Sequence, residues 1–152
     1  MNRHQTRRGL AVGIALAVAA GLGACSPITT KLQYAASDGV RVEVGDAVTV
    51  QNLMIVAAAQ GEPGAVQGAV VNNGGEDATV TIGSLTVTAP AGETVLLGGA
   101  EGEELVVDSV PAAPGATAQL PVGLAGAEGE TVYVPVLDGT LPEYADLVPA
   151  DA

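Results

Sequence analysis

Across residues 40–137 the chain never runs far before meeting Gly, Pro, Asn or Asp, and between those residues apolar side chains tend to alternate with Thr or charge. Val40-Arg41-Val42-Glu43-Val44 puts valines on one face and charges on the other, as a half-buried strand requires. Gly45-Asp46 turns the chain. Residues 47–58 follow as a longer strand pattern, with Val48, Val50, Leu53, Ile55 and Val56 available to a core. Beyond a Pro/Gly loop at 60–64 lies the run 65–71, closed by Asn72-Asn73-Gly74-Gly75. Those four residues tolerate positive φ and mark a hairpin-type turn. Further runs occupy 78–82, 85–88, 94–97, 105–107, 116–120 and 131–137, with Pro90-Ala91-Gly92 turning between two of them. Segments this short exclude helices of ordinary length and predict an all-β domain, an antiparallel β-sandwich of the immunoglobulin or cupredoxin kind. Pro135, lacking a ladder donor, places the last run at a sheet edge. Residues 138–152, with Pro142 and Pro149, read as an irregular C-terminal tail.

The core of such a sandwich has an unusual substance. Phe and Trp are absent, and Tyr34, Tyr133 and Tyr144 are the only aromatic residues. Val, Leu and Ile must fill the space between the sheets. A cavity for a small molecule is usually walled by aromatic side chains, so this composition argues against one.

The first residues are of another kind. Arg3, Arg7 and Arg8 precede a stretch, 9–24, with no charge and much Ala, Val and Leu. As a helix that stretch spans about 24 Å at ~1.5 Å per residue, short of the ~30 Å hydrocarbon core. A basic head, a short apolar body and a small-residue end make a secretory signal peptide. Its end, Leu22-Gly23-Ala24-Cys25, resembles the lipobox of bacterial lipoproteins. That resemblance implies a diacylglyceryl group on the Cys25 thiol and cleavage just before it. Residues 1–24 are then the signal peptide, 25–39 the lipidated Cys and its tether, 40–137 the sandwich and 138–152 the tail. The expected partner is the lipid bilayer, through the Cys25 anchor, on the extracytoplasmic face of the cell membrane. Two acyl chains at ~0.8 kcal/mol per CH₂ hold a protein there almost permanently. Thr6-Arg7-Arg8 also resembles a twin-arginine export signal, so both export routes stay open. Cys25 is the only Cys, which leaves the domain without a disulfide.

Charge narrows the functions. All 17 acids lie at or beyond Asp38, and from Cys25 onward only Lys31 and Arg41 oppose them, a formal −15. Such a surface repels phosphates and excludes nucleic acid. The only His, His4, leaves with the signal peptide, so Ser-His-Asp and Cys-His nucleophile systems are missing. A Ser–Lys dyad would have to draw on Lys31, in the tether. Carboxylate pairs are plentiful, but a sugar site also needs aromatic platforms. The chain is expected not to be an enzyme and to carry no cofactor. Asp46, Asn72, Asn73, Glu76, Asp77, Glu101, Glu103 and Glu104 fall in turns, and oxygen-rich loops can hold Ca²⁺, though none has EF-hand spacing. Solvated turn charges are the first reading; a loop-bound Ca²⁺ or ion-buffering role is the alternative.

Three segments resemble small lipoproteins of high-GC Gram-positive bacteria, the actinobacterial group that includes the mycobacterial lipoprotein E-like proteins. They are Tyr34-Ala35-Ala36-Ser37-Asp38-Gly39-Val40, Gln51-Asn52-Leu53-Met54-Ile55-Val56 and Gly68-Ala69-Val70-Val71-Asn72-Asn73-Gly74. The order of apolar strand, Asn-Asn-Gly-Gly-Glu-Asp turn and strand is also similar to that of periplasmic copper chaperones with a cupredoxin-like sandwich. Pro111-Ala112-Ala113-Pro114-Gly115 echoes a turn of theirs. Those chaperones hold copper with His and Met. Once His4 and Met1 have gone, Met54 is the only such side chain left, and one thioether builds no copper site. The likeness implies the fold and, at most, a degenerate copper chaperone-like protein. The resulting expectation is a membrane-anchored, non-enzymatic binding or scaffolding module of the cell envelope, with an envelope protein as its partner.

Overall fold

Valine, isoleucine and leucine at every second position give each run one face to bury, and the runs pair so that those faces meet. The computed structural model describes residues 37–150. In chain order the strands are β1 (Val40–Glu43), β2 (Val48–Ala57), β3 (Gly64–Asn72), β4 (Ala78–Ile82), β5 (Leu85–Ala89), β6 (Thr94–Leu97), β7 (Val106–Val107), β8 (Thr117–Leu124) and β9 (Glu130–Leu137). One helical turn, α1 (Pro142–Ala145), starts on a proline, whose missing N–H has no partner to lose at a helix N-terminus.

The strands form an all-β sandwich. They are ordered β5-β4-β8-β9-β2-β3-β6, with β1 added to β2 and β7 to β3. Sheet B is β5, β4, β8 and β9; sheet A is β1, β2, β3, β6 and β7; the end of β9 joins them. Every pairing is antiparallel except that of β2 with β9, where Ile55 faces Val136 and Val56 faces Leu137 in parallel register. The wholly antiparallel arrangement expected from the sequence therefore gives way at one junction. There β1 already holds the antiparallel place beside the first part of β2, and β9 meets the remainder running in the same direction as β2.

Between the sheets lie Val50, Leu53 and Ile55 of β2, Val66 and Val70 of β3, Val80 and Ile82 of β4, and Val122 and Val134 of β8 and β9. All are at most 2% exposed, and each contributes roughly 1.5–3 kcal/mol by leaving water. β2 fills this core by changing parity midway. Val48 and Val50 point inward, then Leu53 and Ile55 do, because Asn52 is an extra residue in a β-bulge with φ 52°. The Asn52 Oδ1 accepts the Gly39 N–H at 2.8 Å and fixes where β1 begins.

Two sequence expectations are corrected here. The Asn72-Asn73-Gly74-Gly75 turn closes no hairpin: β3 and β4 do not pair, and the turn carries the chain from sheet A to sheet B. The two-residue hairpin is Gly83-Ser84, between Ile82 and Leu85. Pro135 does not mark an edge strand, since β9 lies between β8 and β2. The Val136 N–H donates to the Ala116 carbonyl at 2.9 Å, so the neighbouring Pro135 nitrogen faces away from β8. Pairing with β2 begins only at Val136, and no donor is missed.

Candidate functional site

The lipidation site read from the sequence, Cys25 with Leu22, Gly23 and Ala24, lies outside the described residues. The turn residues considered for Ca²⁺ are inside them and stay apart. Asp46 sits between β1 and β2, the Asp77 carboxylate accepts the Ala91 N–H at 3.0 Å, and Glu101, Glu103 and Glu104 follow β6. Asn72 is no solvated turn residue at all, being 2% exposed. Its amide nitrogen donates to the carbonyls of Glu76 (2.8 Å), Ala89 (3.0 Å) and Pro90 (3.1 Å), and its oxygen accepts the Gly74 N–H at 2.9 Å. It latches the end of β3 to the end of β5, across the two sheets. Among the described residues, no three His, Cys, Asp or Glu side chains converge as metal ligands would.

The outer faces of the two sheets differ. Sheet B presents threonines, Thr79 facing Thr88 with their hydroxyls 2.9 Å apart. On sheet A, Met54 and Val56 are buried yet stand outside the cluster between the sheets. Their β3 neighbours in register, Gln67 and Ala65, form the floor of a cleft of about 750 Å³. One wall is the 98–106 segment and the other is Glu143 with residues 146–150. The volume lies in the range of small-molecule sites, roughly 300–1,000 Å³. The missing aromatic residues argued against such a cavity, and backbone and small side chains build it instead.

Local bonds hold both walls. The Gly98 N–H donates to the Glu103 carbonyl and the Glu103 N–H to the Leu96 carbonyl, each at 2.8 Å, which draws the first wall into a closed loop. Gly98 has φ 69°, and a Cβ there would lie 2.2 Å from the Gln67 Nε2. A glycine is needed at that position on both counts. On the second wall the Leu147 N–H donates to the Tyr144 carbonyl at 3.0 Å, and the Tyr144 hydroxyl donates to the Asp38 carboxylate. That bond, helped by some desolvation and by the charges of Asp38 and Glu143, pushes the phenol up to about 12. Asp138, at the start of this segment, accepts the Thr140 hydroxyl and N–H, which hold its carboxyl below the usual value.

Gln67 is the unusual member. It is only 6% exposed, and its side chain lies flat on Gly98. No hydrogen bond within the described residues uses its amide, and neither polar atom is sealed away from the cleft without a partner. Among the described residues, the charged side chains lining the cleft are Glu104, Glu143 and Asp146, with no Lys or Arg. Arg41 is the only Lys or Arg among the described residues, and it pairs with Glu43 at 3.4 Å. A second, shallower groove on the same face shares Gln67 and Gly98 and adds Met54 and the half-exposed Leu96. Carboxamide and carboxylates give the cleft hydrogen-bonding and negatively charged groups that can bind a ligand.

Sequence reasoning missed Gln67. In Ala65-Val66-Gln67 it alternates with a core valine and reads as a solvent-facing position. The nearest signal is Gly98-Gly99, and nothing in the sequence connects the two sites. No known family model matches the chain, and no curated protein matches it significantly.

Proposed function

We propose that this chain is a lipid-anchored extracytoplasmic lipoprotein, akin to the small actinobacterial lipoproteins, whose sandwich serves as a non-enzymatic binding module of the cell envelope. The observation that carries the reading is Leu22-Gly23-Ala24-Cys25, set at the end of an uncharged apolar stretch behind three arginines. Among the described residues no helix is long and apolar enough to cross a membrane, and the reading places attachment at the Cys25 lipid. Binding rather than catalysis is supported by the open cleft on sheet A and by the place of His4 and Cys25, the chain's only His and Cys, ahead of the sandwich.

The test is metabolic labelling with a palmitate analogue in an actinobacterial host. The wild type should take up label and sediment with membranes, while Cys25→Ala loses both. Equal labelling of the two proteins would overturn the anchor. Crosslinking in intact cells, with mass spectrometry of what is caught, tests for the envelope partner.

A further inference from the structure

We propose that the Gln67 cleft binds a cationic peptide segment, its backbone set on the Gln67 amide and its Lys or Arg side chains against Glu104, Glu143 and Asp146. The inference deepens the binding-module reading and rests on it, independently of the anchor. Gln67 is 6% exposed, no hydrogen bond within the described residues uses its amide, and what accessibility its polar atoms keep opens onto the cleft, where a ligand can reach both of them. A carboxamide presents a donor and an acceptor side by side, the complement of the C=O and N–H of an extended backbone. The wall beside it is bare at Gly99, where even a Cβ would meet nothing within 4 Å, so a ligand backbone can approach closely.

The charges choose the kind of occupant. Among the described residues all three lining charges are carboxylates, in a chain of formal net charge −12 that draws cations toward its clefts. They do not converge as ligands of a single metal ion would. Carboxylates spread along two walls fit positive charges spread along a ligand, which a peptide bearing several basic side chains supplies. Met54 and Leu96 in the adjoining groove offer an apolar rest for a side chain beyond Gln67.

The experiment uses the full-length lipidated chain in neutral detergent micelles and calorimetric titration with acetyl-Ala-Lys-Ala-Lys-Ala-amide. The comparison probes are the same peptide with Gln for Lys, spermidine, and CaCl₂. The lysine peptide should bind at least about tenfold more tightly than the glutamine peptide, and added NaCl should weaken it. Gln67→Ala should weaken the lysine peptide about fivefold or more while leaving spermidine unchanged. Glu143→Gln/Asp146→Asn, altering two exposed residues, should weaken the lysine peptide and spermidine alike with an unaltered melting temperature. This double variant keeps the test valid if Gln67→Ala fails to fold. The proposal is overturned by equal binding of the two peptides, by wild-type binding in the variants, or by Ca²⁺ binding more tightly than the lysine peptide. If the lysine peptide fails while crosslinking catches an envelope partner, this site falls and the binding-module reading stands. If the lysine peptide binds as expected while Cys25→Ala keeps its label, the anchor falls and the site stands.

Discussion

Gln67 and Asn72 are both carboxamides on β3, both nearly inaccessible, and they serve opposite purposes. Asn72 faces the seam between the sheets and bonds through both its amide nitrogen and its oxygen to backbone groups at two places, the 73–77 turn and residues 89–90. Gln67 faces the outer side of the same sheet, rests on Gly98 and bonds to nothing described. Burial is therefore a poor guide to what a polar side chain does, and bonding is a good one. A satisfied amide is part of the fold, whereas one that opens onto a cleft can bond to solvent or to a ligand.

The largest expected effect breaks or confirms this contrast directly. Asn72→Leu strips three carbonyls of their donor at a sealed position and should lower stability by about 2–4 kcal/mol in urea unfolding of the full chain. Gln67→Leu replaces an unbonded amide by an apolar group of similar volume and should change stability by less than about 1 kcal/mol, in either direction. Equal losses would mean that Gln67 is as structural as Asn72, and the contrast would be gone.

A middle-sized effect sharpens it. Gly98→Ala should cost roughly 1–2 kcal/mol, from the left-handed backbone and from contact with the Gln67 amide. In a Gln67→Ala background the contact disappears and only the backbone cost remains, so a double-mutant cycle should show coupling of about 0.5–1.5 kcal/mol. Strict additivity would mean that the amide is free to swing off the glycine.

Much of this fold was legible in the sequence because strand periodicity and turn residues act locally. The alternating runs at 40–44 and 78–82, and the whole of 94–97, name their own strands, and the missing Phe and Trp name the substance of the core. What was not legible depends on partners distant in sequence. The parity change at Asn52 shows only against β3, where Gly68 has φ 147° and a Cβ added to it would lie 2.7 Å from the Gln51 carbonyl oxygen. Asn72-Asn73-Gly74-Gly75 has the composition of a hairpin turn, but Asn72 binds β5 and so carries the chain to the other sheet. Pro135 looked like an edge residue because a sequence does not reveal which side of a strand a given nitrogen faces. The cleft was hidden for the same reason: its floor, loop wall and C-terminal wall come from three segments that meet only in the fold.

The smallest effect concerns the outer wall of the cleft, which is tied to the domain partly by the Tyr144 hydroxyl on Asp38. Folding favours the protonated phenol, since donation to Asp38 raises its value from the ordinary 10.0 to about 12. The contribution of that bond is fully present below about pH 10 and is lost as pH rises toward about 12. Tyr144 is only partly buried and solvent screens its bond to Asp38, so the gain stays below about 1 kcal/mol. Urea midpoints of the wild type and Tyr144→Phe should differ slightly at about pH 9 and converge near pH 12. The Asn72→Leu deficit should persist unchanged over the same range, because the four partners of Asn72 are backbone groups that do not titrate there. A deficit that shrinks with pH in both variants would show that alkali loosens the whole sandwich. Convergence in Tyr144→Phe alone would show that the cleft wall is held by a contact of its own, separable from the seam that Asn72 closes.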